Sequence, residues 1–311
     1  MSAAAVGTTD GARGVLDVSF RSEGVVCRGW LFTPEGAPPA DGWPAVVTAN
    51  AFSSVKEIHM SAVGERLAAA GIAVLVFDYR TLGASDGEPR QQIVPHDQLD
   101  DLRNAVSWIR ARDDVDADRI GLWGVSLGGG HVLHLAAFDP RVRAVVAVLP
   151  AINQWRNFLS AMPREAFRGF LTMVTDARQA AYGTDDVAYL PLVAPPPDRA
   201  LMPPEAYAFY TQAQRTTAPN WRNEVAVSSL EHFVAYDPAG AVELISPSAL
   251  LLIAAAEDAV IPLSLIEDAY SRAGEPRRLL TLPCGHTDVY QVEPHRNRAL
   301  AAAAEWFGSH L

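Results

Sequence analysis

The sequence predicts an α/β protein with an eight-stranded, mostly parallel sheet and a helical insertion. Short apolar runs, too continuous for a sheet with one face in water, alternate with segments of helical periodicity. This pattern is typical of a parallel sheet covered by helices on both faces. In addition, far more chain separates Pro150 from the next apolar run, at Ala249, than a strand-to-helix connection needs. We therefore expect a core of residues 14–150 and 240–311, an inserted lid of residues 151–239, and a flexible tail of residues 1–13.

The first two strands are expected to form an antiparallel hairpin. Residues 15–20 and 25–32 are rich in strand-forming side chains, and the segment between them is polar and contains Gly24. A loop rich in Pro and Gly follows from Pro34 to Pro44. This loop separates the hairpin from the strands that follow.

The later core elements alternate between strand and helix. Strands are expected at residues 45–48, 72–78, 119–123, 144–149, 249–255 and 278–282. Helices are expected at residues 59–70, 96–111, 127–138, 262–273 and 296–307. With the hairpin, these elements give eight strands in an α/β order.

The expected lid is rich in aromatic residues. Its helical pieces are expected at residues 154–162, 164–181 and 204–214. Most of its aromatics are expected to form the lid's own core, because large apolar side chains are usually buried. Trp155, Phe158 and Trp221 are our candidates for contact with a substrate.

Composition and charge narrow the class of partner and the compartment. The net charge is −11 and no stretch gathers Arg or Lys into a stripe, so nucleic acid is not expected as a partner. The first residues lack the features of a signal peptide, and no segment approaches the ~20 apolar residues of a membrane span. Two distant cysteines, Cys27 and Cys284, suit a reducing compartment. We therefore expect a cytoplasmic protein with no membrane contact.

A nucleophile motif supplies the first chemical signal. Gly124, Val125, Ser126, Leu127 and Gly128 spell G-x-S-x-G between a predicted strand and a predicted helix. This arrangement forms the sharp turn that exposes a nucleophilic serine in the α/β-hydrolase fold, and the helix N-terminus favours developing negative charge. The alternative is a Gly-rich connection with an incidental Ser126.

A serine hydroxyl needs a base, and His286 is our candidate among eight histidines. It follows the last predicted core strand, where the order Ser, acid, His places the base. His131 and His134 have the spacing of a metal pair on a helix, but no third ligand accompanies them. We therefore expect no metal at that pair and assign it to helix packing or to the surface.

The acid of the expected triad is Asp258. It follows the apolar run 249–255 and precedes Pro262, in the loop where a triad carboxylate belongs. Its carboxylate would hold His286 in one tautomer and stabilise the imidazolium. Glu257 is the rival, and we favour Asp258 because its shorter side chain suits the turn.

The oxyanion hole requires two backbone N–H groups near the nucleophile. One comes from the residue after the serine, here Leu127, and the other from the loop after the third strand, where we choose Phe52. Both are expected to face the oxygen of a tetrahedral intermediate.

Several short segments together resemble a known group of α/β hydrolases. The matching segments are Phe52 with Val55-Lys56-Glu57; Phe77-Asp78-Tyr79-Arg80 with Gly83 and Ser85; Trp123-Gly124-Val125-Ser126; Asn220-Trp221-Arg222-Asn223; Tyr236-Asp237-Pro238; and Gly285-His286-Thr287-Asp288-Val289-Tyr290. The group comprises bacterial YcjY-type proteins and fungal polyketide transferases, related to dienelactone hydrolases. The resemblance runs from about Val15 to the C-terminus.

The resemblance implies an α/β-hydrolase fold and a serine hydrolase or acyltransferase that acts on esters or thioesters. Some members of the group act in polyketide pathways. The chain departs from the group at Asn50-Ala51, where His-Gly often stands, and alanine has fewer backbone conformations available than glycine. Asp78 and Arg80 are expected to orient a loop rather than to react.

Three functions follow from these observations. The leading one is hydrolysis of an ester or thioester through an acyl-enzyme. The second is transfer of the acyl group to an alcohol or amine, and the third is a catalytically silent protein that binds a ligand on the same fold. We expect a small-molecule acyl substrate and neither metal nor organic cofactor. A homodimer is compatible with the sequence.

Overall fold

The computed structural model describes residues 14–198 and 200–311. The expected tail of residues 1–13 lies outside the described residues. The strands are β1 (Val15–Ser22), β2 (Val25–Phe32), β3 (Trp43–Ala49), β4 (Ala73–Phe77), β5 (Val115–Val125), β6 (Val142–Val148), β7 (Tyr189–Leu190), β8 (Val225–Ala226), β9 (Ala249–Ala255) and β10 (Arg277–Leu282). The helices are α1 (Met60–Ala68), α2 (Pro95–Arg110), α3 (Leu127–Phe138), α4 (Gln154–Ala161), α5 (Arg164–Ala181), α6 (Ala206–Thr216), α7 (Ser228–Val234), α8 (Leu263–Arg272), α9 (Asp288–Gln291) and α10 (His295–His310).

Eight strands form one sheet in the order β1-β2-β4-β3-β5-β6-β9-β10. β1 pairs with β2 and β2 with β4 in antiparallel fashion, and the other neighbours are parallel. The predicted eight-stranded, mostly parallel sheet is therefore confirmed. Because β5, β6, β9 and β10 are parallel neighbours, the loops that follow them leave the same edge of the sheet.

The continuous apolar runs are explained by a sheet that is buried on both faces. Along β4, Val74 and Val76 belong to a core with α1 and α10, whereas Leu75 and Phe77 face a second core with α2 and α3. Side chains alternate between the faces of a strand, so a strand with two buried faces is apolar throughout.

Among the core elements, the hairpin and β5 show the clearest differences from the predicted bounds. The β1–β2 hairpin closes over Glu23 and Gly24, with φ values of 43° and 89°, a turn that matches the twist of paired strands better than the longer one expected. β5 begins at Val115 rather than at residue 119, because Val115 already pairs with Trp43 across a register irregularity. Neither difference affects which loops follow the carboxyl ends of the parallel strands.

Within the described residues, the segment expected to form the lid contains four helices and a short strand pair. Helices α4 and α5 match the expected pieces closely, and α6 begins two residues later than expected. The helix α7 and the pairing of β7 with β8 were not predicted, since both are too short to show a periodic pattern. None of the helices in the described residues has the length and apolarity that a membrane crossing requires.

Candidate active site

Ser126 lies in a strained turn between β5 and α3. Its φ and ψ are 54° and −117°, a conformation that is unfavourable for a residue with a side chain. Its backbone is fixed on both sides, because its N–H donates to Val148 O at 2.9 Å and its carbonyl accepts from Ala151 N at 2.9 Å. The turn at the end of β5 is therefore held by the neighbouring end of β6.

Two glycines of the motif permit this turn. A Cβ on Gly124 would collide with the carbonyl of Gly128, and a Cβ on Gly128 would collide with the carbonyls of Ala49 and Asn50. The first turn of α3 thus packs directly on the end of β3. As a result, the residue after the serine lies beside the loop that follows β3.

His286 and Asp258 form a close pair at the same edge of the sheet. His286 Nδ1 lies 2.7 Å from Asp258 Oδ2, and the Asp258 side chain is fully buried. The other carboxylate oxygen accepts from the N–H groups of Val260 and Ile261 at 2.7 and 2.8 Å. Glu257, the rival acid, is exposed to solvent. The geometry therefore favours Asp258 as the partner of His286.

Ser126, the third member of the expected triad, follows β5, while Asp258 follows β9 and His286 follows β10. Pairing through Nδ1 leaves His286 Nε2 available for a nucleophile. Ser126 Oγ makes no hydrogen bond to His286 in the described structure, and such contacts are often long in the absence of substrate. Ser126 and His286 are 8 % and 7 % exposed, so both are largely removed from water.

Cys284 is the other nucleophilic side chain near His286. Burial, together with the negative charges of Asp288 and Asp258, raises the pKa of the Cys284 thiol to about 11. A thiol is reactive mainly as the thiolate, which is scarce at neutral pH when the pKa is so high. Cys284 is therefore unsuited to the role of nucleophile.

Two backbone N–H groups are expected to form the oxyanion hole. Leu127 is the first residue of α3, and Phe52 lies in the loop after β3. Within the described residues, neither N–H group donates a hydrogen bond to the rest of the chain. The helix N-terminus adds a favourable potential for negative charge at Leu127.

The loop that carries Phe52 is anchored at its two ends. Asn50 Nδ2 donates to Phe77 O at 2.9 Å. At the other end, Lys56 donates to the buried Asp78 carboxylate through its backbone N–H at 2.7 Å and through Nζ at 2.9 Å. Burial opposes the charge of Lys56, but Asp78 and Glu57 outweigh it and hold the pKa of Lys56 above its ordinary value. Asp78 therefore holds one end of the loop that carries Phe52.

Arg80, the other residue of that segment, binds a second buried carboxylate. Its Nε lies 2.9 Å from Asp101 Oδ1 and its backbone N–H lies 2.8 Å from Asp101 Oδ2. The Asp101 side chain is fully buried. Arg80 therefore fixes the end of β4 to α2, away from the reacting groups.

The three lid candidates lie in different surroundings. Phe158 packs on Phe233, with ring centroids 6.2 Å apart, and Phe233 packs on Phe52 at 4.5 Å. Trp155 is 41 % exposed, and the Arg156 guanidinium lies over its ring, 5.2 Å from the centroid. Trp221 is only 1 % exposed, and its Nε1 donates to Ser53 O at 2.9 Å.

Two aromatic residues near the site were missed by the sequence analysis. Phe233 lies on the short helix α7, whose length hid it from periodicity arguments. Tyr290 packs 6.0 Å from the ring of His286 and 5.5 Å from that of Phe209 on α6. The sequence did contain a signal for Tyr290, because this residue belongs to the segment with His286 that resembles the known group of α/β hydrolases.

His131 is a packing residue. It is fully buried, with one ring nitrogen 2.9 Å from Tyr236 OH and the other 2.9 Å from Gln98 Oε1. Burial, aided by His134 and His96, lowers the pKa of His131 to about 3. In the described part of the chain, no group of three or more His, Cys, Asp or Glu is arranged to hold a metal ion.

The chain is similar in sequence to a known protein family and to several known proteins. Residues 23–186 match the family model described as X-Pro dipeptidyl-peptidase (S15 family). The quorum-quenching protein AidA of Acinetobacter baumannii is 34% identical over 224 residues, covering 72% of this chain and 72% of that protein. The thiohydrolase aneE of Aspergillus aculeatus is 28% identical over 291 residues, covering 91% of this chain and 86% of that protein.

A third relative is known both in sequence and in structure. The polyketide transferase grgF of Penicillium sp is 29% identical over 288 residues, 91% of this chain and 94% of that protein. The crystal structure of the alpha/beta hydrolase GrgF from Penicillium sp. sh18 matches with a TM-score of 0.81 and 26% identity, covering 95% of this chain and 98% of that chain. The predicted resemblance to fungal polyketide transferases and the predicted α/β-hydrolase fold are confirmed.

Proposed function

The chain belongs to the X-Pro dipeptidyl-peptidase (S15) family of α/β hydrolases, and from this premise we propose that it is a serine hydrolase that cleaves an ester or thioester. The observation that carries the proposal is the pair of His286 with the buried Asp258, at the sheet edge where Ser126 is held in a strained turn. Such a constellation activates a serine for nucleophilic attack.

The reaction proceeds through an acyl-enzyme. Ser126 Oγ attacks the carbonyl carbon of the substrate while His286 Nε2 accepts the hydroxyl proton. The N–H groups of Phe52 and Leu127 stabilise the negative oxygen of the tetrahedral intermediate. His286 then protonates the leaving alcohol or thiol, and a water molecule activated by His286 releases the acid. Asp258 keeps His286 in the productive tautomer throughout.

The surroundings of the site support an apolar acyl group. Phe52, Phe233 and Phe158 contact one another in succession, and Phe158 also stacks on Phe170 with centroids 5.0 Å apart. All except Phe52 are partly exposed, so they offer apolar surface next to the proposed oxyanion hole. The relative named a thiohydrolase is consistent with a thioester as one substrate.

A fluorophosphonate probe tests the serine mechanism. We expect one covalent adduct by intact-mass spectrometry in the wild type, none in Ser126→Ala, and loss of p-nitrophenyl ester turnover in the variant by at least about 10³-fold. Circular dichroism of the variant should match the wild type. Turnover retained in a folded Ser126→Ala protein would refute the proposal.

A substrate panel tests the ester and thioester assignment. It should contain p-nitrophenyl acetate and octanoate, an octanoyl thioester, and Ala-Pro-p-nitroanilide, the last because of the peptidase name of the family. We expect the octanoyl compounds to give the highest kcat/KM. A higher kcat/KM for Ala-Pro-p-nitroanilide would overturn the assignment.

Acyl transfer is a second candidate, and the relative named a polyketide transferase favours it. The same acyl-enzyme would then pass its acyl group to an alcohol or amine in place of water. Adding increasing concentrations of such acceptors to the octanoyl thioester, with products separated by mass spectrometry, measures the partition. Ester or amide product that exceeds free acid at low acceptor concentration would identify a transferase.

We also propose a cytoplasmic location and a small molecule as the partner. Cys27 and Cys284 are both free and buried, which suits a reducing compartment. The net charge of −11 disfavours binding to nucleic acid. A homodimer stays a prediction that the mass in solution would decide.

A further inference from the structure

The part of the expected lid that contains Trp221 and Glu224 lies against the loop that carries Phe52. Trp221 Nε1 donates to Ser53 O at 2.9 Å, and Ser53 Oγ lies 3.5 Å from Glu224 O. Ser53 directly follows Phe52, whose N–H is one of the two proposed oxyanion donors. The lid therefore contacts this loop one residue away from the donor.

Ser53 occupies an unusual position in a tight turn. Ser54 N donates to Ala51 O at 3.1 Å, so Phe52 and Ser53 are the central residues of that turn. The φ of Ser53 is 55°, in the left-handed region that a residue with a side chain seldom adopts. Such a conformation persists when surrounding contacts fix it. The bond from Trp221 to the Ser53 carbonyl is a contact of this kind.

Trp221 is itself held in one orientation. Its side chain is 1 % exposed and stacks on Tyr210 of α6, with ring centroids 5.1 Å apart and an angle of 22° between the planes. Its backbone carbonyl accepts from Gln214 Nε2 at 3.0 Å. A rigid donor of this kind can fix the direction of the peptide group that it binds.

We propose that Trp221 is a positioning residue for the oxyanion hole rather than a wall of the substrate pocket. The indole N–H holds the Ser53 carbonyl, and the Ser53 conformation in turn aims the Phe52 N–H at the developing oxyanion. Asn50 and Lys56 anchor the two ends of the loop, and Trp221 fixes its centre. This inference rests on the proposed serine mechanism.

The proposal predicts a loss that is specific to the transition state. Removing the indole N–H frees the Phe52–Ser53 turn, so the tetrahedral intermediate loses stabilisation while ground-state binding of the substrate changes little. We expect kcat to fall on the order of tenfold with KM nearly constant, since complete loss of an oxyanion donor costs ~10²–10³ in kcat.

The test replaces Trp221 by 3-benzothienylalanine, which keeps the shape of the indole and lacks its N–H, and in parallel uses Trp221→Phe. An alkyl trifluoromethyl ketone, which forms a tetrahedral adduct with a catalytic serine, reports the oxyanion hole directly. We expect its inhibition constant to rise by the same factor as kcat falls. The same replacement at Trp306 is the control, because Trp306 Nε1 donates to Ala249 O at 3.3 Å, away from the site.

The outcomes separate the possible roles of Trp221. Unchanged kcat and unchanged ketone affinity, with only a lower melting temperature, would make Trp221 a packing residue and overturn the proposal. A higher KM with unchanged kcat would make it a pocket wall and overturn it as well. If Ser126→Ala retains turnover, the serine mechanism itself fails. If that variant is inactive while the benzothienyl protein behaves as wild type, only the role of Trp221 fails.

Discussion

Asp258 and Glu257 are neighbours in the chain, but they lie in different surroundings. The Asp258 carboxylate is buried and accepts from two backbone N–H groups as well as from His286, whereas Glu257 is exposed. In Asp258→Asn, the amide nitrogen would face His286 Nδ1 and favour the wrong tautomer. We expect kcat to fall by ~10³–10⁴, because an equivalent change in a serine triad has an effect of about that size.

Glu257→Gln is the matched control for this prediction. It makes the same chemical change one residue away, and we expect its kcat to stay within about twofold of the wild type because its side chain faces solvent. Both kcat values would be measured with p-nitrophenyl octanoate at neutral pH. A wild-type kcat in Asp258→Asn would show that Asp258 is not the acid of the triad. A loss of kcat in Glu257→Gln as large as that expected for Asp258→Asn would contradict the assignment as well.

Single residues could be assigned from the sequence where the chemistry restricts both residue type and position. Ser126, Asp258 and His286 each lie within a few residues after the end of a strand, and strand ends are visible in the hydrophobic pattern. The contact between Trp221 and Ser53 joins residues far apart in the chain, so no local pattern reports it. The left-handed conformation of Ser53 is equally invisible, since serine has no preference for it.

At the scale of elements, the junction of β5 with α3 depends on Gly128. A Cβ there would collide with the backbone carbonyls of Ala49 and Asn50, which cannot move without disturbing β3. We expect Gly128→Ala to lower the free energy of unfolding by about 2–3 kcal/mol, as overpacking in a close-packed interior does. Urea denaturation followed by circular dichroism measures the change.

Gly308→Ala on α10 is the opposite control. A Cβ at Gly308 would meet no atom within 4 Å, and the residue is helical. The substitution should therefore raise the free energy of unfolding by about 0.5–1 kcal/mol, the difference in helix propensity between the two residues. Equal effects of the two substitutions would show that close approach at Gly128 does not constrain the turn at Ser126.

Elements were predictable in proportion to their length and burial. The strands of the sheet interior, such as β4 and β9, are apolar throughout because both faces are covered, and this leaves an unmistakable pattern. α7 has only 7 residues and β7 and β8 have 2 each, so none of them completes enough periods to be recognised. The position of α7 depends on long-range packing of Phe233 against Phe52 and Phe158.

For the whole molecule, buried histidines link stability to pH. Burial is the largest cause that lowers the pKa of His59 and His134, with nearby positive charges adding to it. The effect is strongest at His131, where burial lowers the pKa from 6.5 to about 3. Such groups stay neutral in the folded protein at a pH where the unfolded chain takes up protons. The contribution of these histidines to stability is then fully present above pH 6.5 and is lost as the pH falls towards 3.

His131→Gln isolates the contribution of the most strongly shifted group, because glutamine does not titrate and the other histidines are retained. Between pH 7 and pH 5 the unfolded wild-type chain binds a proton at His131 that the folded protein does not, so the wild type should lose about 2 kcal/mol more stability over this interval than the variant. The measurement is the free energy of unfolding in urea at both pH values for both proteins. Whatever the packing cost of the substitution, it enters at both pH values and cancels in the comparison. Parallel pH dependences would mean that His131 becomes protonated in the folded protein, and the network of Tyr236 and Gln98 around it would then have to accommodate an imidazolium.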